Sequence, residues 1–356
     1  MNFGGFRILL KEYRFQYFIG SKELSVLAAH FFPRDKQYYY NYTAYDFYAV
    51  HDIGQSQPSS YWEKFTLDSL KHYPKAKSQS GLAFVESIMI ITGKHLKVRH
   101  KHIEKVFVHQ GMQKSSIEYR WKWNRKNCTH PSNVAYIKSK FPYISGDHAK
   151  DVSCAIVIEH IDAWYSIAER NLSFALILED DVTFVPFLKE KFNRFMSQAV
   201  KLNLIKVGKN QNNCSSFANN ENITMDELLK NPILSEGVFH FGSCLNMPTP
   251  GMKYDSFLEV PRISAYRAYF CGRCAHMYGM THCAAKMMIE ALHKFPIRYQ
   301  WADWLINDII TKSPKLIGWW TDPPLGYQTT QMETIGEIHP LLKQRTYDPK
   351  GKYNAP

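Results

Sequence analysis

The sequence predicts an α/β fold: a mostly parallel sheet flanked by helices, with an N-terminal extension ahead of it. Three observations carry that expectation. The run Phe174 to Leu178 (FALIL) is apolar at every position, as in a strand covered on both faces. Just before it, Cys154, Val157, Ile158, Ile161, Tyr165 and Ala168 recur at helical spacing and form one apolar stripe. Further on, Ala284, Met287, Met288, Ala291, Leu292 and Phe295 form a second stripe, stopped by Pro296. Helices alternating with a strand of this kind build a sheet covered by helices.

Residues 1–102 read as an N-terminal aromatic-rich extension, with Tyr38-Tyr39-Tyr40 followed by Tyr42, Tyr45 and Tyr48 and no usable period. Lys11, Glu12 and Arg14 interrupt the apolar Phe6 to Leu10 before a signal-peptide core forms. The apolar stretch Gly81 to Gly93 carries Glu86 and is shorter than the roughly 18 residues of a membrane span. The main domain is expected over 103–330. Ile103 to Val108 reads as a buried strand, with a loop from His109 to Ser116. A polar connection broken by Asn127, Pro131 and Pro142 leads to the first striped helix, which Ser145 or Asp147 can cap and Asn171 ends. Lys206 to Asn231 is polar, Asn-rich and expected as a loop. The polar segment 331–356 is expected as a C-terminal tail.

A 45% hydrophobic content with 21% charged residues excludes a disordered chain and a coiled coil. The net charge of +12 can draw in an anionic partner. Its densest stretch is Lys94 to Lys105, where Lys94, Lys97, Arg99, Lys101 and Lys105 interleave with His95, His100 and His102. It reads as a solvated or phosphate-facing surface. No helix-turn-helix, zinc-finger or base-stacking signature accompanies it, so no nucleic-acid partner is expected. The seven cysteines are odd in number and irregularly spaced. Cys271-x-x-Cys274 with His276, His282 and Cys283 invites a zinc reading, but a second Cys pair is missing. A disulfide, or plain buried thiols, are the alternatives. Sequons at Asn41, Asn127, Asn171, Asn213 and Asn222 lean toward the secretory lumen over the cytoplasm.

The chemistry-bearing feature is Glu179-Asp180-Asp181, directly after FALIL. Ligands of open α/β sheets bind at the carboxyl ends of strands. Three adjacent carboxylates repel one another, and a divalent cation relieves the repulsion. Alternation along a strand puts Glu179 and Asp181 on one side. All three acids are therefore candidate ligands for Mn²⁺ or Mg²⁺, hard ions that take oxygen donors and leave positions for substrate phosphates. The alternative is that the acids cap a helix or are solvated at the strand end.

The surrounding motifs resemble glycosyltransferase family 25, the lipopolysaccharide and procollagen sugar transferases. They are His160-Ile161-x-Ala163-Trp164, then LILEDDV at 176–182, Phe241-Gly242-Ser243-Cys244, Arg273-Cys274-Ala275-His276-x-Tyr278, Asp303 within Trp301-Ala302-Asp303-Trp304, and Pro324-Leu325 with Gln328. The resemblance implies a GT-A-like (Rossmann-like) domain that binds a nucleotide sugar, foremost a UDP-sugar, across a metal. It implies inverting transfer of a hexose to a hydroxyl of a glycan or glycoprotein. Glu179 with His160 and His276 would then contact the donor, although each histidine is also explained by packing. Asp303 would be the general base, with Asp308 as fallback, although Asp303 can equally be a structural acceptor. Two departures stand out. The family's first strand runs into Asn-Leu with arginines following; on the strand expected here that place reads Val108-His109-Gln110, with Arg120 and Arg125 beyond. Glu159 stands where the family usually has Ser. An inactive sugar- or partner-binding relative and an unrelated basic binding protein are the competing readings.

Overall fold

The computed structural model describes residues 80–142, 152–184, 188–206, 214, 223–242, 262–267, 275–296, 301–322 and 325–328. The expectations for the extension before residue 80, for the tail at 331–356, for a cap at Ser145 or Asp147, and for Cys271 and Cys274 lie outside the described residues.

The chain forms an α/β domain around one mixed sheet. Strand β1 (Val85–Ile91) leads to helix α1 (Lys97–His109), then β2 (Ile117–Arg120) and two short helices, α2 (Arg125–Thr129) and α3 (Pro131–Lys140). Helix α4 (Val152–Glu169) precedes β3 (Phe174–Glu179), β4 (Val182–Phe184) and α5 (Leu188–Lys201). Then come α6 (Met225–Lys230), β5 (Glu236–Gly242), β6 (Arg262–Tyr266) and β7 (Met277–Met280). Helices α7 (His282–Lys294) and α8 (Ala302–Lys312) and strands β8 (Leu316–Asp322) and β9 (Gly326–Gln328) complete it. The main strand order is β2-β1-β3-β7-β5-β8-β6, and β9 pairs with β4 and β5. Pairs β1–β2, β1–β3 and β5–β8 are parallel, whereas β7 runs against both β3 and β5, and β6 against β8. The expectation of a mostly parallel sheet is thus modified by β7, which stands between β3 and β5, and by β6 at the edge.

The interior position of Phe174 to Leu178 is as expected: β3 lies between β1 and β7 and is buried along its apolar length. Period-2 alternation explains its composition. Ala175 and Ile177 enter the core under α4, α7 and α8, while Phe174, Leu176 and Leu178 enter the opposite core with α1 and α5. A strand that feeds two cores has no polar face to show.

Helices α4 and α7 match their stripes. A Schellman turn ends α4. Asn171 adopts a left-handed φ of 49°, its N–H reaches the Ala168 carbonyl, and the Leu172 N–H reaches that of Ile167. Thr281 caps α7 by accepting from the Ala284 N–H.

Two expectations are corrected. Ile103 to Val108 is helical. Its buried residues, Ile103, Val106 and Phe107, follow i, i+3, i+4 spacing, and Val108 is exposed, which a covered strand does not allow. The first strand is β1, within the Gly81–Gly93 stretch, so the folded unit begins ahead of residue 103. Inside the expected loop 206–231, Thr224 and Glu227 form a reciprocal capping box that starts α6. Among the described residues, no helix is long and apolar enough to cross a membrane.

Candidate active site

Strands β1 and β3 are parallel, with Ile91 beside Glu179, so their carboxyl ends open at the same place. The residues just beyond both ends build a polar cluster. Thr92 follows β1, and Arg99 lies in the first turn of α1. Asp180 and Asp181 form the turn between β3 and β4. Arg99 donates from Nη1 to Asp180 Oδ1, and its Nη2 lies 3.9 Å from Asp181 Oδ2. Thr92 donates its hydroxyl to Asp180 Oδ2. That hydroxyl in turn accepts from His100 Nε2 at 3.0 Å, because its own proton is already committed. Both oxygens of Asp180 are therefore engaged.

Burial dominates the electrostatics. It pushes the Asp180 carboxyl up, Asp181 adds repulsion, and Arg99 with Thr92 pulls back, leaving it at about 6. Burial also works against the Arg99 cation, but Asp180, Asp181 and Glu179 outweigh it, and the guanidinium titrates above its ordinary range. The first turn of α1 carries no acid of its own, so these carboxylates also answer its helix dipole.

Glu179 lies close enough to favour the Arg99 cation, and its side chain faces His160. It is the last residue of β3, and strand alternation does not continue through the turn to Asp181. Its Oε1 lies 3.7 Å from His160 Nε2, and its N–H donates to the His276 carbonyl. His160 is fully buried on α4, and its Nδ1 lies 2.8 Å from the Tyr278 hydroxyl. Trp164 Nε1 donates to that same hydroxyl at 2.9 Å. A phenol that accepts from Trp164 has its proton to give to His160 Nδ1, which sets Nε2–H toward Glu179. His160 thus packs in the core, with Glu179 just beyond hydrogen-bonding distance of its Nε2.

His276 is wedged between strands. Its Nε2 lies 3.1 Å from the Gly326 carbonyl, and a Cβ on Gly242 would fall 2.2 Å from that nitrogen. Burial holds its pKa below the usual histidine range. Its side chain joins β9 to β7, and its backbone carbonyl ties β7 to Glu179.

Asp303 lies in the first turn of α8, half-buried, and accepts from the Trp304 N–H at 2.8 Å. Helix α8 packs along β8 and joins it through Ser313 to Lys315. So short a connection folds the helix back along the strand and sends its first turn toward the carboxyl-end side of β8. Asp308, the fallback base, is fully buried and pairs with Lys312 at 2.9 Å.

The triplet supplies hard oxygen donors, which suit Mn²⁺ or Mg²⁺. Asp180 is engaged by Thr92 and Arg99, Asp181 lies beside the same guanidinium, and Glu179 faces His160. The three acids do not converge as a three-ligand cage; among the described residues, the set that does is Cys214, His282 and Cys283.

The model of glycosyltransferase family 25 (LPS biosynthesis protein) matches residues 86–305, from β1 into α8. The chain belongs to glycosyltransferase family 25. No curated protein matches it. Membership makes it a glycosyltransferase and implies a nucleotide-sugar donor and a glycan acceptor.

In this family-25 chain the first strand runs into Thr92-Gly93, not Val108-His109, with Lys94, Lys97 and Arg99 following. Sequence reasoning missed Thr92, Arg99 and Tyr278 as parts of the site. The available signal was the dense basic stretch directly after an apolar run bounded by glycines.

Glu159 of the transferase is buried on α4, where its Oε1 accepts from the Trp123 N–H. Burial raises its carboxyl to about 7 from 4.5. A carboxyl raised on folding favours the folded state when protonated, so this contribution fades as pH rises from about 4.5 to about 7. Glu159→Gln is expected to stabilise the protein at about pH 8 by on the order of 2–3 kcal/mol, with the gain shrinking toward about pH 5. Thermal melts at both pH values test this; an equal shift at both would remove Glu159 as the cause.

Proposed function

We propose that this family-25 enzyme is a metal-dependent, inverting hexosyltransferase. It moves a sugar from a nucleoside-diphosphate donor, foremost a UDP-sugar, to a hydroxyl of a glycan or glycoprotein. The observation that supports this most is the acid triplet at the carboxyl end of β3, set against Arg99 from the first turn of α1.

Glu179 and Asp181 would hold Mn²⁺ or Mg²⁺, which when bound offsets the charge growing on the departing diphosphate. Arg99 and Thr92 fix Asp180, so the turn that carries Asp181 keeps its shape as charge moves. His160, anchored by Tyr278 and Trp164, would face Glu179 from the core side. Asp303, from the opposite half of the sheet, would take the proton of the attacking hydroxyl. The surplus positive charge of the chain favours capture of a dianionic donor.

A panel of UDP- and GDP-sugars with Mn²⁺ or Mg²⁺, read as nucleotide release, tests the reading. Release is expected with metal and not with EDTA. Asp181→Ala is expected to abolish transfer and leave the fold intact, since Arg99 keeps its closer pair with Asp180. Near-normal turnover of that variant with Mn²⁺ would discard the metal assignment. A second reading rests on Arg99, a fixed cation beside the triplet that can itself stabilise the leaving diphosphate. Turnover that survives EDTA but not loss of Arg99 would favour it.

A further inference from the structure

A second cluster of chemically active side chains lies at the start of α7, on residues that the transfer reaction does not use. Cys214 and Cys283 are joined as a disulfide with Cα atoms 5.0 Å apart. His282 and Cys283 are the first two residues of α7, and both are almost fully buried. His282 Nε2 lies 3.5 Å from Cys283 Sγ, and its Nδ1 lies 3.2 Å from the Leu172 carbonyl. A carbonyl only accepts, so Nδ1 carries the proton and Nε2 presents its lone pair to the sulfurs. The two Sγ atoms and the imidazole nitrogen lie within 4.8 Å of one another.

We propose that, once the disulfide is reduced, Cys214, Cys283 and His282 form a zinc site, so that this corner has two exclusive states, disulfide-bonded and metal-bound. Zinc takes thiolate and imidazole ligands in tetrahedral sites. An Nδ1–H donated to a backbone carbonyl is the outer contact that orients a zinc-binding histidine and raises its basicity. Leu172 is held by the turn that ends α4, so this contact is built into the fold. The position of Cys283 in the first turn of α7 favours its thiolate. Two thiolates balance the charge of one Zn²⁺, and water completes the coordination.

The chemistry balances with a dithiol or phosphine as reductant. Reduction breaks the S–S bond, places two electrons and two protons on the sulfurs, and oxidises the reductant. Zinc then displaces the two thiol protons, forming two Zn–S bonds and one Zn–N bond. The proposal stands apart from the transfer reaction and does not depend on it.

The test uses the full chain, reduced without oxygen and freed of reductant, with Co²⁺ and then Zn²⁺ as probes. Expected are a thiolate-to-cobalt charge-transfer band, its loss when Zn²⁺ displaces cobalt, and no band in the oxidised chain. Cys214→Ser should abolish the band, and His282→Ala should weaken binding at least about tenfold, the lower end for losing a contact to such a site. If the variants fail to fold, the unmodified chain still decides: zinc should protect Cys214 and Cys283 from alkylation, read by peptide mass. Absence of a thiolate band in the reduced chain, a band that persists in Cys214→Ser, or alkylation of both cysteines unaffected by zinc would each overturn the proposal.

Discussion

Replacing Asp303 with Asn is expected to lower turnover by about two to four orders of magnitude, the usual worth of a positioned general base. Donor affinity should barely change, because the nucleotide and metal are assigned to the triplet and α1. Asn keeps the shape and can still accept from the Trp304 N–H, so the first turn of α8 should hold. Single-turnover rates measured beside donor binding by calorimetry separate the outcomes. Loss of binding and turnover together would reassign Asp303 to the donor side or to structure, and unchanged turnover would remove it from the chemistry. Rescue by Asp308 is not expected, since that carboxylate is buried against Lys312.

The largest stability effect is expected at Arg99. Its guanidinium is buried against Asp180 and Asp181, and Arg99→Met leaves both carboxylates without it. Breaking a buried pair on one side costs about 3–5 kcal/mol. The loss should depend on pH in a defined direction. The Asp180 carboxyl stands at about 6 in the fold even with Arg99 present, above its ordinary 3.8. A raised carboxyl favours the fold while protonated and loses that contribution as pH climbs through this window. Without the guanidinium the carboxyl rises further. Urea unfolding should therefore show a deficit that is small at about pH 4 and grows toward about pH 8. Adding Asp180→Asn to Arg99→Met should recover much of it, and a double variant no better than the single would show that the charge pair is not the cause.

Elements whose signal is local were legible in the sequence. FALIL announced a covered strand, and the stripes of α4 and α7 announced their helices and where each stops. The misreading of Ile103 to Val108 has a physical source: a short apolar run does not distinguish a strand from one turn of buried helix. The spacing of Ile103, Val106 and Phe107 held the answer. The β1 segment was weighed only as a membrane span, although an apolar run between glycines also suits a buried strand. The acid triplet was legible because its residues are adjacent. Its partners were not, since Thr92 and Arg99 lie more than 80 residues from Asp180 in sequence and meet it only through the pairing of β1 with β3. The Cys214–Cys283 bond was hidden for the same reason, its two cysteines standing 69 positions apart in sequence.

The reversed strand β7 has a consequence for synthesis of the chain. It is made after β3 and β5, yet it is the strand that joins them. Until Met280 has left the ribosome, β3 and β5 each expose a backbone edge toward a slot one strand wide, about 10 Å between their axes. Parallel partners cannot zip directly across such a slot, and bare edges of this kind recruit other strands. Joining β3 to β5 therefore waits for a four-residue strand that is made after both of the edges it pairs with.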